Sequence, residues 1–109
     1  MIPKYHEIMH PLLVLTQKLA QSRKSATKTL APHFKLTEKE LQKMLPSGSS
    51  PMFQNRVGWA FTYLTKAEYI ELTEEKATYR ITKAGSEALK NANDNNLTIN
   101  HKYLQENGV

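Results

Sequence analysis

The chain has 109 residues, enough for one small core but not for a core plus an elaborate active site. Fifteen Lys and Arg against ten Asp and Glu leave a net charge of +5 and a pI near 9.5, a balance that favours a polyanionic partner. The lack of cysteine excludes disulfide frameworks and thiolate metal sites, and the longest apolar run, Leu12–Leu15, is far too short to span a membrane. With no basic n-region or long apolar h-region at the N-terminus, the expectation is a soluble cytoplasmic protein without a membrane partner.

Taken in order, Tyr5–Gln21 reads as a first helix. Ile8, Leu12, Leu15 and Leu19 form its stripe, with Met9, Leu13 and Ala20 beside it. Pro11 falls inside this pattern and predicts a kink, or a short first turn followed by the main helix. Gln21–Lys24 reads as a polar connection, after which Ser25 caps a second helix whose apolar residues Ala26, Leu30 and Phe34 are spaced four apart. Pro32 should loosen its last turn. A short third helix is signalled by the capping box Thr37-x-x-Glu40, with Leu36 and Leu41 placed for a hydrophobic staple, and should run to about Leu45.

The longest helix follows. Ser47-Gly-Ser-Ser-Pro51 is a loop that also supplies a start, with Ser50 as N-cap and Pro51 at the first helical position. Phe53, Val57, Ala60, Phe61 and Leu64 form its buried stripe. The opposite face carries Asn55, Gly58, Trp59, Thr62 and Lys66, with Gln54, Arg56 and Thr65 on the flanks. Amides, hydroxyls, one aromatic and cations without a carboxylate suit a base-pair edge or a phosphate oxygen. The plainer reading is a central helix whose second face meets another element. Tyr69–Leu72 and Thr78–Ile81 then alternate as two strands, joined by a hairpin loop over Thr73–Ala77, with Glu71 and Arg80 able to pair across them. Thr82 caps a last helix through Lys90, with Ala84, Ala88 and Leu89 inward. Asn91–Asn96 reads as a linker, and Leu97–Val109 as too short and polar for a core of its own.

Three helices, a hairpin and a fourth helix predict a mainly α domain with a small antiparallel β-hairpin, a winged helix-turn-helix. The expected division is a winged-helix domain over 1–91 and a linker and tail over 92–109. In this arrangement a helix about 10–12 Å across fits the major groove, where each base pair shows a distinct donor and acceptor pattern. The hairpin reaches the neighbouring backbone or minor groove.

His6-Glu7-Ile8-Met9-His10 matches H-E-x-x-H, a zinc-protease pattern. Pro11 directly after the second His, the lack of a placed third ligand and the position at the chain start argue against it, so these read as surface histidines. Metal-dependent phosphodiester cleavage needs clustered carboxylates. Here Glu74-Glu75-Lys76 is a lone E-x-K and the only aspartate is Asp94. No catalysis and no cofactor are therefore expected within these residues. Lys24, Lys28, Arg56, Lys66 and Lys76 are candidate phosphate contacts, since Lys and Arg position a protein on a duplex without reading its sequence. Gln54 and Asn55 are the best base-edge candidates because amides pair bidentately with adenine. Ser49 and Ser50, with the free N–H groups of the helix start, can hold a phosphate. Thr62 lies on the same face. Arg56 has an alternative partner in Glu68, and Trp59 fits packing against the first helix or the wing better than stacking on a base.

Pro3-Lys-Tyr5-His-Glu7-Ile-Met9-His-Pro11-Leu-Leu13, Leu45-Pro-Ser-Gly48, Phe53-Gln-Asn55-Arg56-Val-Gly-Trp59-Ala and Tyr79-Arg-Ile-Thr82-Lys-Ala-Gly85 resemble the N-terminal winged-helix domain of Mrr-type restriction endonucleases, over about Ile2 to Leu89. The resemblance implies a targeting domain that binds double-stranded DNA, often methylated, ahead of a nuclease domain that would hold Mg²⁺. Leu97–Leu104 is similar to the segment leading into that nuclease. The two His fall at variable positions of the family pattern. Where the family's wing usually carries an Arg-Gly type turn, this chain has Thr73-Glu-Glu-Lys-Ala77, whose two carboxylates would repel a phosphate backbone. The rival expectation is a winged-helix protein–protein or dimerisation module using Trp59 and the wing, or a transcriptional regulator, with a homodimer left open.

Overall fold

The computed structural model describes residues 1–107, and its elements run α1 (Tyr5–Lys18), β1 (Gln21–Ser22), α2 (Arg23–His33), α3 (Glu38–Gln42), α4 (Met52–Lys66), β2 (Ile70–Leu72), β3 (Thr78–Ile81), α5 (Lys83–Asp94) and α6 (His101–Glu106). The three strands form one antiparallel sheet in the order β1-β3-β2. Helices packed beneath a small sheet whose hairpin directly follows the longest helix make a winged-helix-like fold, mainly α as the sequence predicts.

α4 is the hub. Phe53, Val57, Ala60, Phe61 and Leu64, the five stripe residues, are all at most 1 % exposed, and α1 crosses this face with Ile8, Met9, Leu12 and Leu13 buried. The expected stripe holds through Leu13 and departs after it, where Thr16 is the buried residue. Leu15 is only half-buried and Leu19 is 70 % exposed, because the helix ends at Lys18 and Leu19 is already extended backbone. Pro11 sits within a single unbroken helix.

That early stop frees the segment expected as a polar connection. Gln21 and Ser22 pair with Tyr79 and Thr78 as the third strand of the sheet. Two residues carry too little periodicity to be seen in sequence. Since the strand feeds straight into α2, the cap is Ser22 rather than Ser25. The Ser22 hydroxyl accepts from the Ser25 N–H at 3.1 Å, and the Ser25 hydroxyl accepts from the Ser22 N–H at 3.0 Å. The Thr37–Glu40 capping box forms as predicted, but α3 closes at Gln42 instead of near Leu45. Lys43 turns extended there so that Met44 can bridge to Pro51.

Three helices end alike, with a residue other than glycine in the left-handed region. Lys35 (φ 54°), Glu68 (φ 62°) and Asn96 (φ 55°) follow α2, α4 and α5. In each case the next N–H returns to a carbonyl in the last turn: Leu36 to Ala31 at 3.1 Å, Tyr69 to Leu64 at 3.0 Å and Leu97 to Ala92 at 2.7 Å. These are Schellman closures.

Thr82 caps α5 through the Gly85 N–H at 3.0 Å, as expected. The helix then continues through Asp94, so the asparagine run is mostly helix and helix stop rather than linker. Ala88 and Leu89 are buried as expected, but Ala84 faces solvent, and Gly85 and Ala92 complete the buried face. The segment after α5 also packs inward. Ile99, Tyr103 and Leu104 are at most 5 % exposed within the same core, and the Asn91 amide donates to the Tyr103 hydroxyl at 2.7 Å. Their spacing was too sparse to read as a core-forming face.

Candidate nucleic-acid interface

The chain before α4 folds into a small closed loop. Leu45 N–H donates to Ser50 O at 2.9 Å, Met52 N–H to Lys43 O at 2.8 Å, and Gly48, at φ 73°, makes the turn between them. This pairing shifts the helix start by one residue. Pro51 is the N-cap, not Ser50, and no side chain caps the first turn. Met52 N–H is taken by Lys43 O, which leaves the Phe53 and Gln54 N–H groups of the first turn for water or an anion.

From that start a shallow depression of about 330 Å³ runs along the outer face of α4, lined by Arg23, Ser50, Gln54, Asn55, Gly58, Trp59 and Thr62. Ser50, Gln54, Asn55, Trp59 and Thr62, all selected from sequence, thus meet in one place. Nothing stands within 4 Å of where a Gly58 Cβ would be, so this face is open. Trp59 is 50 % exposed and lies at 6.4 Å, tilted, from Tyr63 of its own helix. Thr62 donates its hydroxyl to the Gly58 carbonyl at 3.1 Å, leaving its oxygen lone pairs outward as acceptors. No carboxylate lines the depression.

Arg23 is the residue that sequence reasoning missed. It opens α2 and reaches across to α4, with its guanidinium 6.0 Å from the Phe61 ring centroid. Only the β1–α2 junction brings it there, and that junction rests on the unpredicted strand.

Arg56 goes the other way. Its Nη1 donates to the carbonyls of Ile2 and Pro3, both at 3.2 Å, so it clamps the N-terminal segment against α4. It does not line the depression, and among the described residues its side-chain partners are these two carbonyls rather than Glu68. Lys66 is exposed at the far end of α4, 6.0 Å from the Tyr63 ring. Lys28 is exposed on α2 beside a neighbouring groove, Ser49 sits on the loop tip with its hydroxyl 2.9 Å from that of Ser47, and Lys76 is in the hairpin loop. In the hairpin Glu71 and Arg80 pair at 2.8 Å as predicted, while Glu74 and Glu75 are exposed at the tip.

The H-E-x-x-H residues serve three separate jobs. Glu7 accepts the Lys4 N–H at 2.9 Å as part of the α1 start, and His6 sits edge-on to Tyr5. His10, expected at the surface, is half-buried, and its Nδ1 accepts the Ile99 N–H at 2.9 Å. Burial holds its pKa below the ordinary imidazole value. Among the described residues no three His, Cys, Asp or Glu side chains gather to hold a metal, and no helix is long and apolar enough to cross a membrane.

A family model described as the Mrr N-terminal domain matches residues 5–91. No curated protein and no solved structure matches the chain.

Proposed function

From the premise that this chain belongs to the Mrr N-terminal domain family, we propose that it binds double-stranded DNA for a restriction system, with α4 entering the major groove. The observation that carries this reading is the depression on α4: two amides, two hydroxyls, an indole and a guanidinium converge on an open helix face that no carboxylate enters. In this reading Gln54 and Asn55 read base edges, and Arg23 and Ser50 hold the flanking phosphates. Lys66, Lys28 and Ser49 extend the basic surface around them. Lys76 takes part only if the backbone passes the hairpin, whose two free carboxylates repel it.

In this reading residues 1–91 carry the duplex contacts and 92–109 lead on to whatever the domain delivers. Cleavage, with its Mg²⁺, belongs to a nuclease domain joined to this one, and the target includes methylated DNA in the cytoplasm. Nothing in this domain needs a cofactor to bind. The test is fluorescence anisotropy of a labelled duplex titrated with protein at several salt concentrations. Log affinity should fall linearly with log salt, with a slope of about −0.9 per phosphate neutralised. Replacing Gln54 and Asn55 by Ala should reduce discrimination between sequences more than overall affinity. A salt-independent affinity, or none, would remove the proposal.

A further inference from the structure

Two surface features outside the α4 depression complement each other. A groove of about 760 Å³ lies between α2, α3 and the start of α4, with Leu41, Pro51 and Phe53 at its floor and Arg23, Lys24 and Lys28 on its rim. No carboxylate lines it, and among the described residues neither Lys24 nor Lys28 has an ion-pair partner. An apolar floor under three cations calls for an occupant that is apolar at its centre and acidic at its edge.

The hairpin tip has that composition. Leu72 ends the edge strand β2 and is 60 % exposed. Glu74 and Glu75 follow it, both exposed and, unlike Glu71, unpaired among the described residues. Lys76 offsets one of the two charges. An edge strand with an exposed leucine is ordinarily a liability that proteins cover.

We propose that the wing of a second copy of this chain docks in the groove, Leu72 over Leu41 and Pro51, with Glu74 and Glu75 meeting Lys24 and Lys28. A phosphate backbone would satisfy the lysines but leave the apolar floor wet. If each wing enters the other's groove, the contact is two-fold and closes as a dimer. Arg23 and Gln54 line both this groove and the α4 depression. Docking and duplex binding would then exclude each other; that last step rests on the duplex reading, whereas the association does not.

The test is sedimentation of the chain without DNA, at low and high salt, with melting curves to verify folding of every variant. The wild-type chain should self-associate at low salt and dissociate as salt rises. Lys24→Glu/Lys28→Glu, Glu74→Lys/Glu75→Lys and Leu72→Ser should each weaken association about tenfold or more. The two charge-reversed variants mixed together should regain it, because each supplies the charge the other lacks. A chain monomeric at millimolar concentration in low salt would overturn the proposal. So would a mixture that stays monomeric, or association that survives all three changes and is lost on Trp59→Ala.

Discussion

The Nδ1 atom of His10 accepts the backbone N–H of Ile99 at 2.9 Å, tying the first helix to the segment after the last long one. An Nδ1 that accepts a hydrogen bond carries no proton, so this contact exists only in the neutral imidazole. His10, Lys18 and His33 wall one cavity between α1 and α2, and the burial of the His10 ring disfavours its cationic form.

Stability should therefore depend on pH in a definite direction. His10 has a folded-state pKa below its ordinary value of 6.5, so below that value the unfolded chain binds the extra proton first. The contribution is complete above about pH 6.5 and is lost as pH falls through the depressed folded value. Urea unfolding at pH 5 and pH 7.5 should show the wild-type chain more stable at the higher pH. His10→Ala should flatten that difference and cost about 1–3 kcal/mol at pH 7.5, where the Ile99 N–H loses its partner. Equal slopes in both proteins would contradict this account.

Gly85 is required by contact rather than by its backbone angles. A Cβ there would collide with the Tyr69 carbonyl oxygen and stand 2.8 Å from Ile81 Cγ1, where β2, β3 and α5 converge. The Tyr69 carbonyl is already held by the Thr82 N–H at 2.9 Å and cannot easily withdraw. Gly85→Ala should cost about 1–3 kcal/mol by overpacking, although Ala favours a helix. Thermal melts would check it, with Ala84→Gly as a control on the exposed neighbouring position.

The left-handed helix ends make the opposite prediction. Glu68 at φ 62° and Lys35 at φ 54° hold conformations that suit glycine. Both are exposed, so little packing is lost on replacement. Glu68→Gly and Lys35→Gly should each leave stability unchanged or raise it by up to about 1 kcal/mol. Denaturant midpoints would measure the shift, and a loss above that size would mean the side chains matter in their own right.

Where the sequence was legible, one residue type had one physical role. The α4 stripe, the Thr37 and Thr82 caps and the Glu71–Arg80 pair all follow from local spacing and appear in the structure as read. Where it was not, tertiary context decided. Ser22 and Ser25 can both cap, and only the pairing of Gln21 with Tyr79 selects Ser22. The Asn91–Asn96 run suits a loop by composition, but Ala92 is needed in the core, and Asn96 supplies the left-handed stop. In the candidate site, the helix face could be read from periodicity. Arg23 could not, because it reaches α4 only through the fold.

The two arginines near α4 give the sharpest test of that division, because sequence alone favoured the other one. Arg56 holds the carbonyls of Ile2 and Pro3, so Arg56→Ala should cost about 1–3 kcal/mol of stability, as expected for hydrogen bonds from a charged group. At temperatures where the variant is folded, its duplex affinity should change little. Arg23 lines the depression from an exposed helix start, so Arg23→Ala should leave the melting curve within about 0.5 kcal/mol of wild type. It should also reduce the salt slope of duplex binding by about one. The reverse pattern, Arg56 carrying the affinity and Arg23 only stability, would mean that the duplex approaches from the Ile2–Pro3 side of α4 rather than along the depression.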